Sequence, residues 1–145
     1  MDDASDPQGR RWQGTEWSPW TTLDVAIKPY HALAPQQPGL YRIRCPGLSG
    51  LIYVGETGDT LRNRFHHLQR AIAKAPGKAK GESPHVAGYC VWQHLQAGHT
   101  IELSWVATPD LDKRERQGRE CDLIAAHRKA LGRSPTCQFA GTYGK

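Results

Sequence analysis

The sequence predicts a small α+β domain in which helices flank a three-stranded antiparallel sheet. Three strand-like and three helical segments follow one another in the order β-β-α-α-β-α. The first two strands are joined by a short turn, and strands joined in this way pair antiparallel. Helices that follow such a hairpin cover its apolar face. With 145 residues, the chain is long enough for one domain with a buried core.

Residues 1–37 are expected to form an irregular arm that packs on a domain spanning residues 38–145. The first ten residues are polar and acidic, which predicts a mobile end. Trp12, Trp17 and Trp20 follow, among prolines that exclude a long helix. We expect the indole rings to cover the core of the domain. A surface that stacks nucleic-acid bases or binds a protein partner is the alternative.

Each of the first two strands carries a tyrosine. Gly39–Cys45 alternates imperfectly between apolar and polar residues, and Leu51–Gly55 is a second short strand after the turn at 46–50. Alternate residues of a strand share a face, so two paired strands can present their tyrosines together. We therefore expect Tyr41 and Tyr53 to share one face of the sheet, although a strand tyrosine with a purely structural role is the alternative.

A helix is predicted over residues 60–75, because apolar residues recur from Leu61 to Ile72 at spacings of four, three and four. Arg64 and His67 are three residues apart and are therefore neighbours on this helix. A guanidinium group can hold a phosphate with two hydrogen bonds, and an imidazole can exchange a proton near neutral pH. A solvated basic face is the alternative interpretation.

A basic surface extends from this helix into the loop that follows it. Arg62 and Lys74 lie on the helix, and Lys78 and Lys80 lie in a loop over 76–84 that is rich in glycine and proline. The net charge of +5 favours a polyanionic partner, nucleic acid first. We predict that these four side chains bind the nucleic-acid backbone. The alternative is that the charge serves solubility alone.

The remaining elements are a helix, a strand and a long helix. The second helix is expected at 85–97 and the third strand at 100–108. The long helix is expected to begin at a cap formed by Asp110 or Thr108 and to end at Gly132.

Glu120 stands out in the long helix because it lies on the apolar stripe. Leu123 and Ile124 follow it by three and four residues, so all three share one side of the helix. A carboxylate there needs a cation or hydrogen-bond donors. A hard cation such as Mg²⁺ or Mn²⁺ would serve, and an arginine such as Arg64 or Arg116 is the alternative partner.

The four cysteines, at positions 45, 90, 121 and 137, show no CxxC spacing, so neither a zinc knuckle nor a redox pair is predicted. No secretory segment is evident, and we expect a cytoplasmic protein with reduced thiols. Cys90 and Cys121 are expected to be small core residues. No apolar run is long enough for a membrane span.

Taken in order, these residues resemble the GIY-YIG nuclease family. Gly39-Leu40-Tyr41 is followed, after eleven residues, by Tyr53-Val54-Gly55. Arg64 resembles the arginine of that family's first helix, and Glu120 its metal-binding glutamate in a later helix. The resemblance covers roughly residues 38–138, and it implies the fold of that family.

The resemblance also implies a metal-dependent phosphodiesterase, with Mg²⁺ or Mn²⁺ on Glu120. Tyr41 would position or deprotonate the attacking water, and Tyr53 would support that water and the phosphate. Arg64 would neutralise charge on the phosphate. The sequence departs from the family at two positions. His67 stands one residue before the position of the usual histidine or tyrosine and would take its catalytic role. Gln138 stands where an asparagine is usual, and we expect its amide, on a longer side chain, to contact the nucleic acid.

The function predicted is that of an endonuclease that hydrolyses DNA. A monomer is favoured, but the sequence does not determine the oligomeric state. RNA remains an alternative substrate. A catalytically weak or inactive nucleic-acid-binding module of the same fold is one alternative function. A nuclease toxin or defence protein, whose tryptophan-rich arm contacts a partner protein, is the other.

Overall fold

The computed structural model of the chain describes residues 4–23, 34–74 and 87–138. The described residues form short strands in the arm, a central sheet and three helices. The strands are β1 (Arg11–Trp12), β2 (Thr15–Glu16), β3 (Thr21–Thr22), β4 (Gly39–Arg44), β5 (Tyr53–Thr57) and β6 (Glu102–Ala107), and the helices are α1 (Leu61–Lys74), α2 (Gly88–Gln96) and α3 (Lys113–Leu131).

The α+β class is confirmed, with a sheet of four strands rather than three. The strand order is β3-β6-β4-β5, and every pair is antiparallel. The additional strand is β3, in which Thr21 and Thr22 pair with Leu103 and Glu102. Two threonines close to Pro19 show no alternation of apolar and polar residues, so this edge strand could not be predicted from the sequence.

Each face of the sheet packs on different helices, and β4 shows the division. Tyr41 and Ile43 belong to the core cluster that contains the apolar residues of α1 and α2. Leu40 belongs to the other cluster, with Leu123 of α3 and the two buried tryptophans of the arm. Arg42 also faces the arm, which is the alternation expected of a strand. The sheet therefore lies between α1 and α2 on one side and α3 with the arm on the other.

The arm is held to the sheet by aromatic rings around a buried arginine. Trp12 and Trp17 are buried, and the Arg42 guanidinium lies 4.7 Å from the ring centre of Trp17 and 4.5 Å from that of Trp20. Burial lowers the pKa of Arg42 to about 9. Cation–π contacts of this kind are favourable when they are desolvated. The core-covering interpretation of the tryptophans is therefore confirmed, and Trp12 and Trp17 are not free to stack on bases.

The prediction of a mobile end is wrong for the described residues that precede the first tryptophan. The Gln8 side-chain amide donates to the carbonyl oxygens of Leu48 and Gly50, at 2.8 and 2.6 Å. The carbonyl oxygen of Pro7 accepts from Arg42 Nη1 at 2.6 Å. Hydrogen bonds to a buried cation and to a turn order this segment, and neither partner is near it in sequence.

The last helix begins later than predicted. Asp112 caps α3, because its carboxylate accepts from the backbone N–H of Glu115 at 2.8 Å, while the Glu115 carboxylate accepts from the backbone N–H of Asp112 at 2.9 Å. The predicted caps, Thr108 and Asp110, precede this reciprocal capping box. The predicted end is confirmed, since Gly132 is left-handed with φ 76°. None of the described helices is long and apolar enough to cross a membrane.

The predictions for two cysteines are wrong. Cys90 of α2 forms a disulfide with Cys137 of the C-terminal segment, with their Cα atoms 5.7 Å apart. Cys121 is exposed rather than part of the core. Cys90 and Cys137 are 47 residues apart in sequence, and only the folded chain brings them together. Cys45 is free and buried.

Candidate active site

Two glycines allow the strands of the site to pack as closely as they do. A Cβ atom at Gly55 would lie 2.4 Å from Cζ of Tyr41, and one at Gly39 would lie 2.3 Å from the carbonyl oxygen of Val106. Tyr41 is the register partner of Gly55. The phenol ring of Tyr41 therefore extends across the space that any other residue at position 55 would fill.

The two strand tyrosines share one face of the sheet, as predicted. Their ring centres are 6.0 Å apart, and a hydrogen bond joins their hydroxyl groups. Tyr41 is fully buried and packs edge-on against Phe65 of α1, with ring centres 5.4 Å apart. Packing on both sides fixes the ring of Tyr41, so its hydroxyl group is held at a defined position.

Arg64 reaches the same point from the first turn of α1. Its Nε donates to the hydroxyl oxygen of Tyr41 at 3.2 Å. Burial lowers the pKa of Arg64, but the attraction of Tyr41, Tyr53 and Glu56 outweighs it, and the net effect is a raised pKa. The guanidinium group therefore stays charged beside the two hydroxyls.

Both tyrosine hydroxyls are held in the protonated state. Burial is the largest cause of the raised pKa of Tyr41, and the charge of Arg64 opposes it. Burial also raises the pKa of Tyr53, with help from Tyr41 and Glu120. A protonated phenol orients water through hydrogen bonds and is not a strong base. Of the two roles that the resemblance implies for Tyr41, a protonated hydroxyl fits positioning of a water molecule rather than its deprotonation.

Glu120 lies on the inner side of α3, where it meets Glu56 of β5. It is half-buried, and its carboxylate accepts from the backbone N–H of Glu56. Burial and the Glu56 charge raise the pKa of Glu120 to about 7, although the hydrogen bond and Arg64 act in the opposite direction. Glu120 also raises the pKa of Tyr41 and Tyr53. The Glu120 carboxylate therefore lies close enough to influence both tyrosine hydroxyl groups electrostatically.

The alternative partner for Glu120, an arginine, is bound elsewhere. Arg116, one turn earlier on α3, forms an ion pair with Glu56, with Nε 3.0 Å from Oε1, and its Nη1 donates to the carbonyl oxygen of Leu111 at 2.8 Å. Within the described parts of the chain, no lysine or arginine forms an ion pair with Glu120. A half-buried carboxylate with a raised pKa and a second acidic group beside it suits a divalent cation, which binds oxygen donors and would relieve the repulsion.

Glu56 is the residue of this site that the sequence interpretation missed. It follows Gly55 directly, and strand alternation places it on the face opposite Tyr53 and Gly55, towards α3. Its register partner is Leu40, which belongs to the core on that face. The same alternation that paired the tyrosines could have indicated that Glu56 faces the helix of Glu120.

Gln138 has a different position from the one predicted for a nucleic-acid ligand. Its Oε1 accepts from the backbone N–H of Val54 at 2.8 Å, and its Nε2 donates to the carbonyl oxygen of Val54 at 2.7 Å. Both ends of the amide are thus bonded to the strand residue next to Tyr53. The prediction that Gln138 binds nucleic acid is therefore wrong, because its amide is hydrogen-bonded to β5 and holds that strand in place.

The other predicted residues whose side chains are described do not lie in the site: Arg62 makes a structural contact, and His67 lies apart from the tyrosines and Glu120. The Nε of Arg62 donates to the carbonyl oxygen of Ala34 at 3.0 Å, so this cation holds the chain that leads into β4. The ring of His67 lies 6.3 Å from that of His66, and no described contact joins His67 to the tyrosines or to Glu120. Outside the described residues are the predicted nucleic-acid contacts of Lys78, Lys80 and the side chain of Lys74.

Neither a family model nor a curated protein matches the sequence. Among solved structures, the chain is similar to the GIY-YIG N-terminal endonuclease domain of UvrC from Thermotoga maritima. For a tyrosine-to-phenylalanine variant bound to its catalytic divalent cation, the identity is 21%, the match covers 80% of this chain and 98% of that one, and the TM-score is 0.47. For the magnesium-bound form, the identity is 20%, the coverage 80% and 99%, and the TM-score 0.45. The similarity is one of fold.

Proposed function

We propose that this chain is a divalent-metal-dependent endonuclease that hydrolyses phosphodiester bonds in DNA. One observation carries the proposal. Two buried tyrosine hydroxyls, a charged arginine and an acidic residue converge from β4, β5, α1 and α3, with Arg64 Nε 3.2 Å from the Tyr41 hydroxyl oxygen and Glu120 close enough to influence both tyrosines. Donors, a cation and a carboxylate are the groups that phosphoryl transfer needs.

Glu120 would hold the metal ion. A bound Mg²⁺ or Mn²⁺ would polarise the scissile phosphate and stabilise charge on the leaving oxygen. Glu56 supports this role from its place beside Glu120, because a second negative charge strengthens the attraction for a cation. Arg116 neutralises part of the Glu56 charge through its ion pair, so we assign Glu56 to the environment of the metal site rather than to the metal itself.

The tyrosines and Arg64 would act on the phosphate and on the water. Tyr41 and Tyr53, both protonated, orient the attacking water by hydrogen bonding. Arg64 binds a non-bridging oxygen of the phosphate and offsets the charge that develops there. Because Arg64 also donates to Tyr41, it fixes the phosphate and the hydroxyl relative to each other. This pre-arranged geometry is what lowers the barrier.

DNA is the substrate that the net charge of +5 and the phosphate chemistry favour together. The test is cleavage of supercoiled plasmid, and of single- and double-stranded oligonucleotides of DNA and RNA, with Mg²⁺, Mn²⁺ or EDTA. Wild type is compared with Glu120→Ala and with Asp122→Asn, which removes an exposed acidic charge from the same helix. We expect metal-dependent DNA cleavage that Glu120→Ala slows by about 100-fold or more and that Asp122→Asn leaves unchanged.

Three results would each contradict a different part of the proposal. Cleavage by Glu120→Ala at the wild-type rate would contradict the metal assignment. Cleavage of RNA alone would contradict the substrate. Retardation of DNA without products under either metal would instead establish a nucleic-acid-binding module that has lost catalysis.

A further inference from the structure

We propose that Cys90, His94 and His99 together with Cys137 bind a zinc ion when the cysteines are reduced. This cluster lies around α2 and the C-terminal segment, and it shares no residue with the candidate active site. It goes beyond the proposed function and does not depend on it.

The first three ligands are already in place around one point. One sulfur or nitrogen atom from each of Cys90, His94 and Cys137 lies within 4.8 Å of the others. Cys90 and His94 are four residues apart on α2, so they project from the same side of the helix. Atoms bound to one tetrahedral zinc ion are separated by about 3.3–3.8 Å. The three side chains can therefore reach one ion through small rotations.

His99 is brought back towards His94 by the turn that ends α2. Gly98 is left-handed with φ 91°, a conformation that glycine adopts without strain. Beyond it, the backbone N–H of His99 donates to the carbonyl oxygen of His94 at 3.1 Å. The two imidazole ring centres lie 5.8 Å apart, close to the roughly 5 Å that two histidines on one tetrahedral zinc ion require. Their sequence spacing also falls in the range common at structural zinc sites.

The chemistry of the donors suits zinc. Two thiolates and two neutral imidazoles form a common structural zinc set. Histidine binds metal ions through a neutral imidazole nitrogen. With two thiolate charges against the two of Zn²⁺, the completed site carries no net charge, so a partly buried position is not costly.

The disulfide between Cys90 and Cys137 is the oxidised counterpart of this site. Two thiol molecules, or one dithiol, reduce it: two electrons and two protons pass to the cysteine sulfurs, and the reductant leaves as its own disulfide. Each cysteine thiol then releases its proton as zinc binds. Disulfides are rare in reducing compartments, and there the same four residues can hold the chain together through the metal. Both forms link α2 to the C-terminal segment.

Zinc binding is measured on the reduced, metal-free chain of 145 residues, with a non-thiol reductant under exclusion of air. Zn²⁺ is titrated against a chromophoric chelator, and Co²⁺ is used as a spectroscopic probe. We expect one high-affinity zinc per chain and, with Co²⁺, the thiolate-to-metal charge-transfer band and strong visible bands of tetrahedral coordination. A metal held by Glu120 alone would give no thiolate band, so the two sites are distinguished.

The variants test each ligand. Cys137→Ser is expected to weaken zinc binding by about 100-fold or more, and His99→Ala by about tenfold. Cys121→Ser removes an exposed, free thiol and is the control that should bind zinc as the wild type does. A reduced wild type that binds no zinc, or a Co²⁺ spectrum without thiolate bands, would overturn the site whether or not any variant folds. Unchanged affinity in His99→Ala would overturn the assignment of the fourth ligand.

Discussion

Replacing Glu120 by glutamine is expected to stabilise the metal-free protein while abolishing the proposed cleavage of DNA. Folding raises the pKa of this carboxyl from 4.5 to about 7 because the group is buried and lies beside Glu56. Between these two pH values the folded chain keeps a proton that the unfolded chain has released, so wild-type stability falls as the pH rises through this window. A glutamine of the same shape carries no charge and escapes the penalty.

The magnitude follows from the size of the shift. A carboxyl group with these two pKa values lowers the free energy of unfolding by about 3 kcal/mol at pH 8. Because the group is partly exposed to solvent, we reduce this figure to about 2 kcal/mol. For a domain of this size, about 2 kcal/mol corresponds to a melting temperature roughly 6 °C higher. At pH 4.5 most of the difference should disappear, because both states of the wild type then hold the proton for much of the time.

The assay is thermal and denaturant unfolding of wild type and Glu120→Gln at pH 8 and pH 4.5, with EDTA or with Mg²⁺. Mg²⁺ at pH 8 should stabilise the wild type and leave the variant unchanged, since only the carboxylate binds the ion. Asp122→Asn controls for the loss of one negative charge from α3. A variant no more stable than wild type at pH 8, or equally stabilised at both pH values, would refute the reasoning about burial and Glu56.

Gly55→Ala places a Cβ atom 2.4 Å from Cζ of Tyr41, and it should lower the unfolding free energy by about 1–3 kcal/mol and reduce cleavage. Gly118→Ala adds a Cβ that meets nothing within 4 Å beyond its own helix and chain neighbours, and it should stabilise α3 by about 0.5–1 kcal/mol; equal effects in denaturant unfolding would contradict the packing argument. Gln138→Ala removes the clamp on β5, which is the pair of hydrogen bonds between the Gln138 amide and the backbone of Val54. The unfolding free energy should fall by about 1–3 kcal/mol in the same assay, and an unchanged value would mean that the clamp contributes little to stability. Arg64→Lys keeps the charge but loses the planar donor, so we expect kcat to fall by about tenfold or more with metal affinity unchanged. A kcat equal to that of the wild type would show that Arg64 takes no part in the reaction.

The sequence predicted the part of the site that depends on short-range periodicity. Alternation along two strands places Tyr41 and Tyr53 on one face, and helical spacing places Arg64 on α1 and Glu120 on the inner side of α3. The role of Glu56 was not predicted, although the same alternation indicates that its side chain faces α3. Its importance arises from the distance to Glu120, which depends on how α3 packs on β5.

Other features depend on contacts between distant segments, and these could not be predicted. The link between Cys90 and Cys137 and the bond of Arg62 to a backbone carbonyl require the folded chain. Gln138 was predicted to contact nucleic acid through its amide, but in the structure that amide is hydrogen-bonded to the backbone of Val54. The capping box of Asp112 could have been predicted from the sequence, because an acidic cap followed by glutamate at the third helical position is a local signal.

The clamp on β5 also bears on the solution behaviour of the protein. An open sheet edge presents unpaired backbone groups that can pair with another molecule. Here, the N–H and C=O of Val54 are taken by the Gln138 amide, and the carbonyl oxygen of Ile52 by the N–H of Cys137 at 2.6 Å. A side-chain amide thus imitates the hydrogen bonds of a neighbouring strand, and these backbone groups are not free to pair with another molecule. Loss of residues 137 and 138 would leave a template for aggregation at the side of the sheet that carries Tyr53.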